Sequence, residues 1–372
     1  MLKKKRVVLG ISGGVDSSVC AYLLQKQGYE VIGVFMQNWD NYVNNDFFGH
    51  TKNEDKQCNV YKDFSDVEKV SKILNFKVYK VDFIKEYWDN VFQYTIEEYK
   101  KGETPNPDVL CNKYIKFGSF LKYAKEKFNC DLIAMGHYAG SKIINKKKYL
   151  TLAKDSEKDQ TYFLCWINQQ QLDKCLFPLE KYTKKEVREI AAQIGLPNHD
   201  KTESTGICFI GERKFTSFLQ NYIKPKEGDV IDIVTKKKVG THIGIMYYTI
   251  GQNKQLHLGG LLQKYYVCLK DKKKNIIYVV SEEEKEKFLS SEKCVVKDFN
   301  WINEEAPKEK EVLIRFRHRQ TLIKGTFEIK KDNIILQYEK TLSVTNGQFA
   351  VLYQNGICLG GGIVKKVILC NK

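Results

Sequence analysis

Three short segments of the chain carry residue types that do chemistry. The first is Gly10-Ile11-Ser12-Gly13-Gly14-Val15-Asp16-Ser17-Ser18. It follows an apolar run, Arg6–Ile11, and opens a stretch in which Val15, Val19 and Leu23 recur at helical spacing. Two adjacent glycines permit positive φ and a close approach to the backbone. Their N–H groups, the Ser12 and Ser17 hydroxyls and the start of the helix form a pocket for an anion such as pyrophosphate. Asp16 is expected to hold a magnesium ion against those phosphates. The chain has no Gly-Lys dipeptide and no G-x-G-x-x-G, so this is neither a Walker A loop nor a dinucleotide fingerprint. The plain alternative is an ordinary strand-to-helix glycine turn capped by serine.

The other two segments present cysteines. Thr104-Pro105-Asn106-Pro107-Asp108-Val109-Leu110-Cys111-Asn112-Lys113 joins two helical stretches. Its prolines stiffen the backbone around Asn106 and present Asp108 and Cys111 just before the next helix. Near a helix N-terminus and Lys113, the Cys111 thiol is expected to titrate low, so that thiolate is available near neutral pH. The rival reading is a rigid interhelical turn with a partly buried cysteine. Ser204-Thr205-Gly206-Ile207-Cys208-Phe209-Ile210-Gly211-Glu212-Arg213 sets Cys208 between glycines, where the rival is an apolar strand residue. The chain has 11 cysteines, an odd number, and no C-x-x-C pair, which argues against a disulfide framework and a zinc ribbon. Cys20, Cys130, Cys165 and Cys268 lie in apolar patterns and read as small buried hydrophobes.

The elements that must position these segments change along the chain. Strands at Arg6–Ile11, Val31–Met36, Lys77–Phe83 and Asp131–Tyr138 alternate with helical periodicity at Asp16–Gln27, Phe64–Leu74, Trp88–Tyr99 and Lys113–Lys127. That alternation predicts βαβ units and a parallel sheet. A hairpin is expected at 142–153 and a short amphipathic helix at Thr183–Ile194. From about residue 212 short strands and glycine turns take over, broken by a charged helical stretch at Glu282–Leu289. From Cys294 the pattern is nearly all strand, at Glu311–Arg317, Leu322–Glu328, Asn333–Tyr338, Gln348–Tyr353 and Ile357–Lys365, which suggests a small β-barrel. The expected fold class is α/β: a doubly wound parallel-sheet domain over 1–211, a small mixed domain over 212–291 and a β-barrel over 292–372.

The 372 residues carry a net charge of +16. Such a surplus points to a polyanionic partner, most often nucleic acid. Compositional drift is the competing explanation, since 55 of the basic residues are Lys and only 6 are Arg. Half of those arginines sit together at Arg315, Arg317 and Arg319, as a planar bidentate contact would require. No apolar run reaches the ~18–20 residues a membrane span needs. The N-terminal apolar run is too short for a signal-peptide core, so a cytoplasmic location is expected.

The Ser12–Ser17 loop resembles that of the N-type ATP pyrophosphatases, which split ATP into a bound AMP and pyrophosphate. With the two cysteine segments, the chain closely resembles the tRNA-specific 2-thiouridylases. Met36-Gln37-Asn38-Trp39-Asp40, Gly136-His137-Tyr138-Ala139 and Lys158-Asp159-Gln160-Thr161-Tyr162-Phe163-Leu164 match that family. So do Gly240-Thr241-His242-Ile243-Gly244, Tyr248-Thr249-Ile250-Gly251-Gln252, Arg317-His318-Arg319-Gln320, Gly347-Gln348 and Leu359-Gly360-Gly361-Gly362. Departures are Asn253-Lys254-Gln255 in place of a basic glycine-rich run, His318 in place of an aromatic, Asn346 in place of a proline, and Asn59-Val60 after Cys58.

The resemblance implies ATP-dependent 2-thiolation of the wobble uridine of tRNAs for Lys, Glu and Gln. It implies that ATP, with Mg2+, is held by Gly10, Ile11, Ser12, Gly13, Gly14, Val15, Asp16, Ser17, Met36 and Gly136. It makes Cys208 the persulfide carrier, Cys111 the nucleophile of the release step and Asp108 the general acid/base. It places Asn106, Pro107, Asp108, His137, Lys158, Asp159, Gln160, Arg317, His318, Arg319 and Gln348 against tRNA. A cysteine desulfurase or a sulfur-relay protein would supply the sulfur, and the two cysteines would form a disulfide transiently. The competing readings are another ATP-pyrophosphatase ligase and a noncatalytic tRNA-binding protein.

Overall fold

The computed structural model describes residues 5–48, 58–130, 132–202, 214–256, 258 and 263–370. The first seven strands are β1 (Arg6–Gly10), β2 (Glu30–Gln37), β3 (Lys77–Asp82), β4 (Ile133–Ala134), β5 (Gly140–Ile144), β6 (Lys147–Thr151) and β7 (Cys175–Leu176). Five of them form a parallel sheet in the order β3-β2-β1-β4-β7. β1 and β2 read as near-continuous apolar runs because helices cover both faces of the sheet. Val7 and Leu9 point into a core shared with Val15, Val19 and Leu23 of the Val15–Lys26 helix. Val8, between them, points into the opposite core, with Val91, Phe92, Ile115 and Phe117. β2 and β3 lie to one side of β1, and β4 and β7 to the other. The carboxyl end of β1 is therefore the switch point at which α/β sheets open a ligand crevice.

Two elements differ from the sequence expectation. The strand expected over Asp131–Tyr138 is only Ile133–Ala134. The helix expected from Lys113 starts at Pro107, because Asn106 caps it through its side chain and Pro107 occupies its first turn. It continues as a π-helix over Cys111–Ser119 and an α-helix over Phe120–Phe128.

The central domain is a four-stranded sheet of β8 (Gly228–Asp232), β9 (Lys238–His242), β10 (Tyr265–Asp271) and β11 (Ile276–Ser281), ordered β10-β11-β8-β9. The last strands are β12 (Ser290–Trp301), β13 (Glu311–Arg315), β14 (Ile323–Lys330), β15 (Asn333–Leu342), β16 (Phe349–Gln354) and β17 (Ile357–Leu369). They run β12-β15-β14-β13-β16-β17, and the β12–β17 pairing closes them into a barrel around Val296, Ile314, Leu336 and Leu352. The β5–β6 hairpin, though part of the N-terminal segment, joins this sheet through Thr151 and Ile357. Close docking continues along β17, where a Cβ at Gly361 would stand 2.9 Å from Cys165 Sγ. Trp166 Nε1 donates to the Gly361 carbonyl at 3.0 Å. No described helix is long and apolar enough to cross a membrane.

Candidate active site

The glycine loop leaves the carboxyl end of β1. Gly13 has φ +77, and a Cβ there would stand 2.6 Å from the Asp63 carbonyl, so both conformation and space require glycine. Gly14 precedes the helix in extended conformation, and among the described residues no side chain caps the helix start. The first N–H groups of this helix are thus left for a ligand, as an anion site requires. The serines brace the loop instead. Ser17 Oγ accepts from Ser12 N–H at 3.2 Å, and the Ser17 and Ser18 hydroxyls donate to the Gly14 carbonyl at 3.1 and 2.9 Å. Gly136, after β4, passes so close that a Cβ would stand 3.1 Å from Ser17 N. The Gly13 carbonyl accepts from Asn198 Nδ2 at 3.0 Å and from Lys201 Nζ at 3.3 Å. Lys201 also pairs with Asp63 and Asp66 at 2.8 and 2.9 Å.

Asp16 is held by two side chains from distant segments. Its two carboxylate oxygens accept from Lys184 Nζ at 2.7 and 2.8 Å, and Oδ1 also accepts from Tyr138 Oη at 2.8 Å. Among the described residues no three His, Cys, Asp or Glu side chains converge to hold a metal. Asp16 thus sits in an Asp16–Lys184–Tyr138 network.

Asn106 Oδ1 accepts from Asp108 N–H at 3.2 Å, which fixes Asp108 in the first turn of its helix. Cys111 begins the π-helical segment and is fully buried. It lies a turn inside the helix, so the expected loop cysteine is corrected to a buried helical one. Lys113, the cation expected to lower the Cys111 thiol, lies 4.5 Å from the Trp166 ring centroid, and desolvation pulls its own pKa down. Cys208, its Ser204–Arg213 segment and the Cys58 side chain lie outside the described residues.

Three family models match in series: a tRNA methyl transferase HUP domain over residues 5–212, a tRNA methyl transferase PRC-barrel domain over 216–281 and an aminomethyltransferase beta-barrel domain over 291–364. The tRNA-specific 2-thiouridylase of Malacoplasma penetrans is 54% identical over 365 residues, covering 97% of this chain and 98% of that protein. Those of Mycoplasma capricolum and Mesoplasma florum are 52% and 50% identical, each over at least 97% of this chain and 99% of its own length. The chain belongs to the tRNA-specific 2-thiouridylase family.

For a 2-thiouridylase, the residues expected to meet RNA fall into two groups. Asp159 is buried. It is 2% exposed and accepts from Ala153 N–H at 2.9 Å, Thr161 Oγ1 at 2.6 Å and Arg315 at 3.1 Å. Arg315 is 7% exposed and stacks 5.4 Å from the Tyr353 ring centroid. The two form an internal ion pair between the N-terminal segment and the barrel. His137 is also buried, beside Phe117, and burial holds its pKa well below the ordinary imidazole value. His318 is half-buried and bonded to the Asp159 carbonyl at 2.9 Å. Gln160 Oε1 accepts from Tyr138 N–H at 2.9 Å, so it braces the residue that holds Asp16.

Lys158 is half-buried, and Arg317 and Arg319 are exposed. Arg317 nevertheless donates to the Ser343 carbonyl at 2.9 Å and the Ile250 carbonyl at 3.3 Å, joining barrel to central domain. Met36 is buried at the end of β2, its methyl group 3.1 Å from where a Cβ on Gly10 would stand.

Sequence reasoning missed Lys184, Asn198 and Lys201. The Thr183-Lys184-Lys185-Glu186 capping box announces a helix start, and both of its hydrogen bonds are present. Nothing local in the sequence announces that this helix start lies over Asp16.

Proposed function

We propose that the chain 2-thiolates the wobble uridine of tRNA, using ATP to activate the 2-oxygen and a protein persulfide as sulfur source. The observation that carries this reading is the pairing of an uncapped, glycine-built helix start at the switch point with an Asn106-capped segment bearing Asp108 and Cys111. Near-full-length identity to named 2-thiouridylases supports it.

The uridine 2-oxygen is a poor leaving group. Transfer of AMP from ATP to that oxygen, with loss of pyrophosphate, lets it depart as AMP. The Ser12–Ser17 loop binds the phosphates through backbone N–H groups, and Met36 lines the adenine side. Lys184 supplies positive charge beside Asp16. A magnesium ion accompanying the phosphates would share Asp16 with Lys184 and Tyr138 and would supply further positive charge there. The uridine leaves its stack to reach the site, which an anticodon loop allows at low cost. Asp108 moves the proton at the base.

Sulfur arrives on Cys208 as a persulfide, from a cysteine desulfurase or a relay protein. In one route the Cys111 thiolate attacks the Cys208 Sγ and expels hydrosulfide, which adds to C2 and displaces AMP. In the other the terminal persulfide sulfur adds to C2, AMP leaves, and Cys111 then attacks Cys208 Sγ to release the thiocarbonyl. Both routes end in a Cys111–Cys208 disulfide, which two electrons from an external thiol reset.

The test is sulfur incorporation into tRNA from a persulfide donor, with nucleotide products resolved. AMP and pyrophosphate formed together with 2-thiouridine support the reading. ADP in place of AMP, or tRNA binding without sulfur incorporation, overturns it.

A further inference from the structure

We propose that the Asn346–Gln348 turn of the barrel is a positioning clamp for the segment that carries Asp108 and Cys111. The barrel then sets the geometry of the reaction as well as receiving RNA. This inference rests on the roles given above to Asp108 and Cys111.

The observation is the environment of Thr104, which is 8% exposed. Its N–H donates to the Asn346 carbonyl at 3.2 Å, and its carbonyl accepts from Gln348 Nε2 at 3.0 Å. One residue of the N-terminal domain is thus bonded through both its backbone polar groups to a single turn of the barrel. Gly347, between the two partners, has φ +88, and a Cβ there would stand 2.8 Å from Thr104 N. The central domain reaches the same residue, with Thr249 Oγ1 at 3.4 Å from Thr104 Oγ1. All three domains meet at Thr104.

Two paths lead from this junction to Asp108. The covalent path is Thr104-Pro105-Asn106-Pro107-Asp108, in which both prolines have fixed φ, so anchoring Thr104 restricts where the helix can start. The second path runs through Tyr162. Its hydroxyl, 3.0 Å from the Phe316 carbonyl and 3.2 Å from the Phe349 carbonyl of the barrel, also lies 3.4 Å from Gln348 Oε1 and meets the Asn106 side chain, the group that caps Asp108. The turn itself is rigid on the barrel side. Gly347 N–H donates to the Val364 carbonyl at 2.9 Å, and Val364 N–H returns a bond to the Gln348 carbonyl at 2.8 Å. A group fixed at both ends of a short, proline-stiffened connection transmits displacement of one end to the other.

The test uses the full-length chain with Gly347→Ala and Gln348→Leu. Hydrogen exchange is read on peptides spanning 100–112 and 10–20, beside ATP affinity, tRNA affinity and thiolation at saturating tRNA. Loss of a bond that holds the segment should raise exchange over 100–112 about fivefold in either variant, with 10–20 unchanged. Turnover at saturating tRNA should fall roughly tenfold while ATP affinity stays within about twofold. Unchanged exchange over 100–112 in both variants overturns the clamp, and so does turnover fully restored by raising tRNA. If Gly347→Ala does not fold, Gln348→Leu, which introduces no backbone strain, decides alone. The exchange result does not depend on thiolation, so an inactive wild-type chain would refute the proposed function and leave the clamp to be judged separately.

Discussion

Lys184 Nζ stands 2.7 and 2.8 Å from the two carboxylate oxygens of Asp16, a residue 168 positions earlier. The Lys184 side chain is 11% exposed and that of Asp16 29%, so either charge left alone is poorly solvated. Asp16→Asn and Lys184→Met should each lower stability by about 1–3 kcal/mol, less than for a fully buried pair because solvent still reaches Asp16. The double variant should cost less than the sum, with a coupling of about 1 kcal/mol by urea denaturation. Each single variant should lose adenylation while binding tRNA nearly as the wild type does. A coupling near zero would show that the two charges do not depend on each other.

The arginine cluster divides in two. Arg315→Ala leaves Asp159 buried without its cation and should cost about 3 kcal/mol of stability. Arg319→Ala, at an exposed position, should stay within about 0.5 kcal/mol of wild type. Its effect belongs in binding. If Arg319 meets a phosphate, the slope of log affinity against log salt should flatten by about one unit. Measuring both quantities for both variants checks the division, and a salt slope that responds to Arg315 would reverse it.

That division shows what the sequence could and could not give. Three arginines in a Lys-rich chain are visible as a cluster. Along β13 and the turn after it, Arg315 faces inward to Asp159, 156 positions away, while Arg319 stays in solvent. No local pattern encodes that choice of partner. The glycine loop was legible because its chemistry is local: two glycines, two serines and a helix start lie within the six residues Ser12–Ser17. The Cys111 segment was half legible. Asn106 and Pro107 are helix-start residues by type, yet the prolines around them also read as a turn, and the buried position of Cys111 followed from the choice between the two. The closed barrel and the β5–β6 hairpin were readable from strand spacing, but the attachment of the hairpin to the barrel sheet depends on a pairing over 200 positions and was not.

Histidine burial gives a pH signature. Burial, reinforced by Lys116, holds His137 well below its ordinary value, and burial also lowers His242 and His318. Each folded-state pKa lies below the unfolded value of about 6.5, so the unfolded chain binds more protons in that window. Stability therefore falls as pH drops below about 6.5, by up to about 1.4 kcal/mol per pH unit for each such histidine. His137→Gln should reduce that slope by about 1 kcal/mol per unit, whatever it does to stability at pH 7.5. Urea denaturation at pH 7.5, 6.5 and 5.5 measures it. An unchanged slope would mean that His137 is protonated or solvated in the folded chain.

The two-cysteine chemistry meets a constraint from Cys111, which is fully buried, whereas Cys370 is exposed. A buried thiol reacts slowly, so an alkylating reagent should modify Cys370 well before Cys111 in the isolated protein. Loading with tRNA and ATP should raise the Cys111 rate if the substrate opens its surroundings. Cys208→Ser should fail to accept persulfide sulfur and should not thiolate tRNA. Cys111→Ser should still load persulfide on Cys208 yet fail to complete transfer. Both should adenylate tRNA, because activation uses the separate Ser12–Ser17 loop. The two thiols must come together at least once per turnover, with Cα atoms within about 7 Å, if the disulfide is to form. Near-normal thiolation after loss of either cysteine, or persulfide loading of Cys208→Ser at the wild-type level, would leave the two-cysteine mechanism without support.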